Sequence, residues 1–136
     1  MTAPHFHFVP VIGHEVHVAE WGDRQKPALL MLHGLARTGR DFDEAAAALS
    51  RDFHVLCPDM IGRGRSSWAR DPEVEYSVEH YAQIATGLLD HFQIDRAAWF
   101  GTSLGGMIGM HVASSPEARR VSALVVNDIS PELPAT

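Results

Sequence analysis

A single cysteine, Cys57, stands among 136 residues, so the chain closes no disulfide within itself and suits a reducing compartment. No apolar run approaches the roughly 18 residues that a membrane span requires. Met1 to Phe8 lacks a basic segment followed by an apolar stretch, so no secretion signal is expected, and the expected location is cytoplasmic. Basic residues are few and scattered: eleven Lys and Arg face seventeen Asp and Glu, for a formal charge of −6. With no basic run to track a phosphate backbone, nucleic acid is not an expected partner, and neither is a membrane. What the chain has in plenty is apolar side chains, 46% of the total, enough for one globular domain in the usual range of roughly 100–150 residues.

The apolar pattern alternates strands with helices. His5 to Val9 and His14 to Val18 read as an antiparallel pair turning at Gly13. Ala28 to Leu32 is a continuous apolar run between Pro27 and Gly34, as expected of a strand buried on both faces. Asp41, with Glu44 three residues on, reads as the start of a helix running through Leu49. His54 to Cys57 is a strand stopped by Pro58, and Gly62 to Tyr76 reads as loop. Ser77 caps a helix to about Phe92, with Tyr81, Ile84, Ala85, Leu88 and Leu89 on one face. Ala97 to Phe100 and Ser122 to Val126 are strands flanking a helix over Leu104 to Ala113. The expected fold class is α/β: a mostly parallel, doubly wound sheet with helices on both faces. No domain boundary is visible.

Gly101-Thr-Ser103-Leu-Gly105 falls between a strand and a helix. A sharp turn there lifts the serine above the sheet, and small residues on either side keep neighbouring backbone clear. The helix start adds free N–H groups and a positive dipole end beside the oxygen that becomes negative. Gly105, Gly106 and Gly109 let the helix approach the sheet. A phosphate loop would need Lys at 107, which is Met. His33-Gly34-Leu35 follows the buried strand, and its loop can aim an N–H at the same centre. The Leu35 and Leu104 amides are the candidate oxyanion donors, each worth about 3–4 kcal/mol in the transition state. His33 is expected to hold this loop rather than act as base. Asp59 to Ser66 carries Gly62 and Gly64, but position 67 is Ser where a dinucleotide fingerprint needs its third glycine.

In this order, His33-Gly34, Pro58-Asp59 with Gly62, Gly64 and Ser66, and Gly101 to Gly106 resemble the α/β-hydrolase superfamily; Asn127 to Glu132 is similar to the segment after its sixth strand. The resemblance implies Ser103 as nucleophile, Leu35 and Leu104 as oxyanion hole, no cofactor and no metal, and a small ester, lactone or thioester as substrate. It also implies eight strands, an acid after the seventh and a histidine after the eighth. This chain ends at about strand six, and no histidine follows His111. The expectation is therefore an amino-terminal part of one domain, lacking lid and carboxyl-terminal strands and inactive alone, either as one piece of a longer enzyme or as a natural short form without activity. The strand at 123–126 would then be an open edge for the carboxyl-terminal segment or a second copy.

No histidine within the chain fits the role of base. His111 lies eight residues along the helix from Ser103, about 12 Å at 1.5 Å per residue. His54 opens its strand, on the edge away from the site; His80 and His91 ride the covering helix. His5, His7, His14 and His17 are expected as solvated strand residues rather than a metal cluster. Asp128 stands on the correct edge, as triad acid or as a brace of its loop. Phe42, Trp68 and Met107 are candidate pocket residues and equally candidates for the core. Two functions remain open: a serine hydrolase acting through an acyl-enzyme, and a non-catalytic ligand-binding or interaction protein on the same scaffold.

Overall fold

Alternating apolar residues at the start of the chain build a hairpin. In a computed structural model describing residues 3–128, β1 (His5–Val11) pairs antiparallel with β2 (His14–Trp21) through a tight two-residue turn. Ile12 and Gly13 both have positive φ there (40° and 84°), which matches the twist of the paired strands. The sheet continues with β3 (Ala28–Leu32), β4 (His54–Pro58), β5 (Ala97–Thr102) and β6 (Val121–Asn127), in the spatial order β1-β2-β4-β3-β5-β6. β2 meets β4 antiparallel; β4, β3, β5 and β6 run parallel. The mixed, mostly parallel sheet expected from the sequence is what the chain forms.

Helices cover both faces. The helix α1 (Asp43–Leu49) packs its Ala46, with Phe42 beside it, against Leu29, Met31, Val55 and Cys57. On the opposite face, α3 (Val78–His91) and α4 (Leu104–Ala113) bury Ile84, Leu88, Ile108 and Val112 against Val9, Val18, Leu30 and Leu32. β3 therefore contributes to both cores, which explains its unbroken apolar run. Ser77 Oγ accepts from the His80 amide at 3.2 Å, the expected cap of α3. The one-turn helix α2 (Pro72–Glu75) interrupts the segment read as loop, with Pro72 at its first position, where a missing N–H costs nothing.

Two expectations are corrected. The helix near residue 41 is not opened by Asp41. Thr38 Oγ1 accepts from the Arg40 amide and starts a 3₁₀ turn over Gly39–Phe42, from which α1 continues at Asp43. Asp41 pairs instead with Arg37 at 2.8 Å. Gly39 explains the earlier start: a Cβ there would meet the Cys57 and Pro58 carbonyls at 2.8 and 2.9 Å, so the turn lies directly on β4.

The second correction concerns the histidines. His14 and His17 are buried, not solvated, because β2 lies second in the sheet with packing on both faces. His17 Nδ1 donates to Asp59 at 3.0 Å. His54 and His7 donate to Glu20, whose carboxylate also accepts twice from Arg24. Burial opposes the Glu20 charge, but the hydrogen bonds from Arg24, His54 and His7 outweigh it and hold its pKa at about 2, below the usual 4.5. A depressed folded-state value means the stabilisation is complete above the unfolded value and is lost as pH falls from about 4.5 toward 2. The urea midpoint should drop across that window in the wild type. In Glu20→Gln it should start lower and fall less; an equal fall in both would show that Glu20 is not the group responsible.

Candidate active site

Ser103 occupies the single residue between the end of β5 and the start of α4. Its backbone has φ 52° and ψ −114°, a conformation costly to any residue with a Cβ. The strain is held from two sides. The Ser103 amide donates to Asn127 O at the end of β6, at 3.0 Å, and the Ser103 carbonyl accepts from Met107 N at 3.1 Å. A Cβ on Gly101 would collide with Gly105 C and O, and one on Gly105 would collide with the Leu32 carbonyl. The turn is therefore possible only with glycine at these two positions. Gly106 is buried beside them in the first turn of α4.

The loop after β3 comes up against the serine: a Cβ on Gly34 would stand 3.6 Å from Ser103 Cβ and 3.8 Å from Thr102 O. His33 is fully buried. Its Nδ1 donates to Gly34 O at 2.7 Å, and its Nε2 accepts from Met60 N at 2.9 Å. Burial lowers the His33 pKa, against the raising effect of the Gly34 carbonyl, so the ring is neutral with its proton on Nδ1. Both nitrogens are in use, so His33 holds the loop and is not available as a base.

Arg63 was not singled out by the sequence. Its Nε donates to Leu35 O at 2.9 Å, while Nη1 donates to Ile61 O and the Tyr81 hydroxyl. It fixes one peptide of the loop that carries the candidate oxyanion donor. Asp59 is the other anchor that was missed: Oδ1 accepts from Gly39 N, and Oδ2 accepts from Arg65 N and His17 Nδ1. Ser66 Oγ accepts from His17 N and donates to Asp59 O. The glycines of the 59–66 run therefore serve a folded brace, since a Cβ on Gly64 would strike the Asp59 carboxylate.

A family model described as alpha/beta hydrolase fold matches residues 27–136. The chain belongs to the α/β-hydrolase family. An α/β hydrolase from Novosphingobium aromaticivorans superposes with a TM-score of 0.87 at 38% identity, over 97% of this chain and 46% of that one. The 3-hydroxybutyrate-oligomer hydrolase of Cupriavidus necator is 43% identical over 97% of this chain and 46% of its own length. A putative carbamate hydrolase, RutD, of Pseudomonas syringae is 37% identical over 74% of this chain and 37% of its own length. The chain thus spans about half, or less, of the relatives it matches.

Within this α/β-hydrolase chain the other candidates fall as follows. Leu104 is buried at the head of α4, where first-turn amides have no intrahelical partner, and Leu35 is exposed. Asp128 is exposed, follows the residue that holds the Ser103 amide, and has φ 60°, which aspartate tolerates better than most residues. Phe42 belongs to the core rather than to a pocket: it is buried and meets Phe100 edge-on with centroids 5.9 Å apart. Trp68 is 79% exposed and Met107 half-buried, and no described cavity gathers the three. His111 lines a groove between α3 and α4 with Glu79 and Glu117. Among the described residues no side chain hydrogen-bonds Ser103 Oγ, and no helix is long and apolar enough to cross a membrane. The segment 129–136, including most of the stretch compared with the region after strand six, lies outside the described residues.

Proposed function

We propose that this chain is the nucleophile-bearing part of a serine hydrolase that cleaves an ester-like bond. Ser103 Oγ attacks the carbonyl carbon and passes its proton to a histidine supplied from outside these 136 residues. The amides of Leu35 and Leu104 stabilise the oxyanion. The leaving alcohol takes the proton, and water then releases the acyl group from Ser103. Asp128 is the candidate acid for that histidine. No metal or organic cofactor enters this chemistry. The observation that carries the reading is the positive-φ Ser103 at a strand–helix turn, with the Gly34 loop packed so closely that a Cβ on Gly34 would stand 3.6 Å from Ser103 Cβ.

The share of each relative covered supports a missing carboxyl-terminal half, with lid and further strands, that would supply the base. β6 is the edge of the described sheet and leaves Ala123 and Val125 exposed, which fits a strand awaiting that segment or a second copy. The name of the Cupriavidus necator relative makes a short oligoester of a hydroxy acid the first substrate to try. A cytoplasmic setting fits the one thiol: Cys57 is buried, and desolvation pushes its pKa up to about 12, leaving it unreactive.

A fluorophosphonate probe tests the proposal, with the label located by mass spectrometry. The chain joined to, or mixed with, the segment that follows Thr136 in its gene should label at Ser103 and hydrolyse esters, and the chain alone should do neither. Labelling at another serine would remove the mechanism. Tight ligand binding without turnover in the completed protein would favour the binding-protein function instead.

A further inference from the structure

Away from Ser103, three metal-ligating side chains converge from three separate elements. His14 opens β2 directly after the Ile12–Gly13 turn and is 4% exposed. His80 is the third residue of α3, held by its own amide on Ser77 Oγ. Glu75 closes α2. The two Nε2 atoms stand 2.8 Å apart, with the rings edge-on, and Glu75 Oε2 lies 3.9 Å from His14 Nε2. All three ligand atoms fall within 4.8 Å of one another. We propose that His14, His80 and Glu75 bind one divalent transition-metal ion of the zinc class, a site independent of the serine chemistry.

The spacing is within reach of this chemistry. On bonds of about 2.0–2.1 Å, a tetrahedral ion sets its ligand atoms roughly 3.3 Å apart. The imidazole nitrogens, at 2.8 Å, stand inside that separation and the His14–Glu75 pair, at 3.9 Å, outside it, so small side-chain rotations would bring the set onto one ion. Two imidazoles and one carboxylate form a donor set that zinc and its neighbours prefer over calcium or magnesium. The carboxylate is already oriented: Oε1 accepts from the Arg70 and Asp71 amides at 2.7 and 3.3 Å, which leaves Oε2 toward the histidines. Neutral rings are the ligating form. Burial lowers the His14 pKa, with the Glu75 charge opposing and His80 and Arg70 adding to the lowering. In the metal-free pair one Nε2 carries the shared proton. Metal binding needs that proton moved to Nδ1 of the same ring, which frees both Nε2 lone pairs for the ion.

Arg70 faces the same cluster, with Nη2 3.5 Å from Gly13 O, and its charge works against a cation. Against that cost stands what the ion would join. It would fasten the β1–β2 hairpin to α2 and α3, and so to the 62–77 segment that already pairs with β2 through Ser67 and Glu15.

The experiment is equilibrium dialysis and thermal melting of the tag-free full chain, stripped with chelator and titrated with zinc chloride at neutral pH. One ion per chain should bind and raise Tm. His80→Ala should weaken binding at least tenfold and abolish the Tm rise; Glu75→Gln should weaken it less, and Arg70→Ala should tighten it. His5→Ala, an exposed histidine outside the cluster, serves as control and should bind like the wild type. Circular dichroism establishes that each variant is folded, and the near-isosteric Glu75→Gln keeps the test decisive if His80→Ala does not fold. Absence of stoichiometric zinc in the wild type would overturn the site. So would wild-type affinity in both His80→Ala and Glu75→Gln, or loss of affinity in His5→Ala alone.

Discussion

Gly105→Ala is expected to remove a large share of the stability of this fold. The added methyl would enter the Leu32 carbonyl and stand 2.8 Å from Leu32 Cβ. Neither side can yield cheaply, because Leu32 is fixed in the parallel ladder opposite Gly101, and Gly101 in turn lies against Gly105. Overpacking of this kind costs about 3 kcal/mol or more where backbone must move, against a total stability of about 5–15 kcal/mol for a typical domain. Gly109→Ala, one turn further along the same helix, is the comparison. Its methyl would meet only the Leu124 Cδ1, the end of a flexible side chain, at 2.6 Å. There the gain of about 1 kcal/mol in helix propensity offsets much of the cost. Denaturant midpoints should therefore separate the two variants widely. A Gly105→Ala protein within about 1 kcal/mol of wild type would mean that α4 does not lie on β3 as described.

The second large effect has opposite signs in two assays. Ser103→Gly should abolish fluorophosphonate labelling in the completed protein, since no hydroxyl remains, and yet stabilise the fold relative to Ser103→Ala by about 1–2 kcal/mol. Both substitutions delete the same oxygen, so their difference isolates the backbone. Alanine keeps a Cβ at φ 52° and ψ −114°, and glycine does not. The looser unfolded state of a glycine variant works the other way and trims the gain. Equal stability of the two variants, or greater stability of Ser103→Ala, would show that position 103 is unstrained, and the turn would lose its claim to be a nucleophile's.

Much of this was legible in the sequence, and the reason is locality. The elements from Ser77 to Ala113 follow from a cap, a 3.6-residue apolar stripe and a glycine-flanked serine, each written within a dozen residues. The double-sided core of β3 followed from its unbroken apolar run. What the sequence did not disclose is pairing across distance. His17 meets Asp59 over 42 positions and His54 meets Glu20 over 34, and no periodicity marks either pair. The same holds for Arg63, which reaches back to Leu35 O from a run whose glycines attracted notice. Histidines near the start of a chain look solvated until the sheet order makes β2 an interior strand. The start of α1 was misplaced because Asp41 and Glu44 fit a capping pattern, while the cap that forms, at Thr38, depends on Gly39 reaching β4.

The hydrogen bond from Ser103 to Asn127 ties the Ser103 turn to the outermost described strand. A pull on that strand is a pull on the serine. A segment that joined the sheet beside this strand would therefore do more than extend it: by setting where the outer strand rests, it would set how the Ser103 hydroxyl is presented, and under the proposed hydrolase reading assembly and reactivity would share one mechanical link.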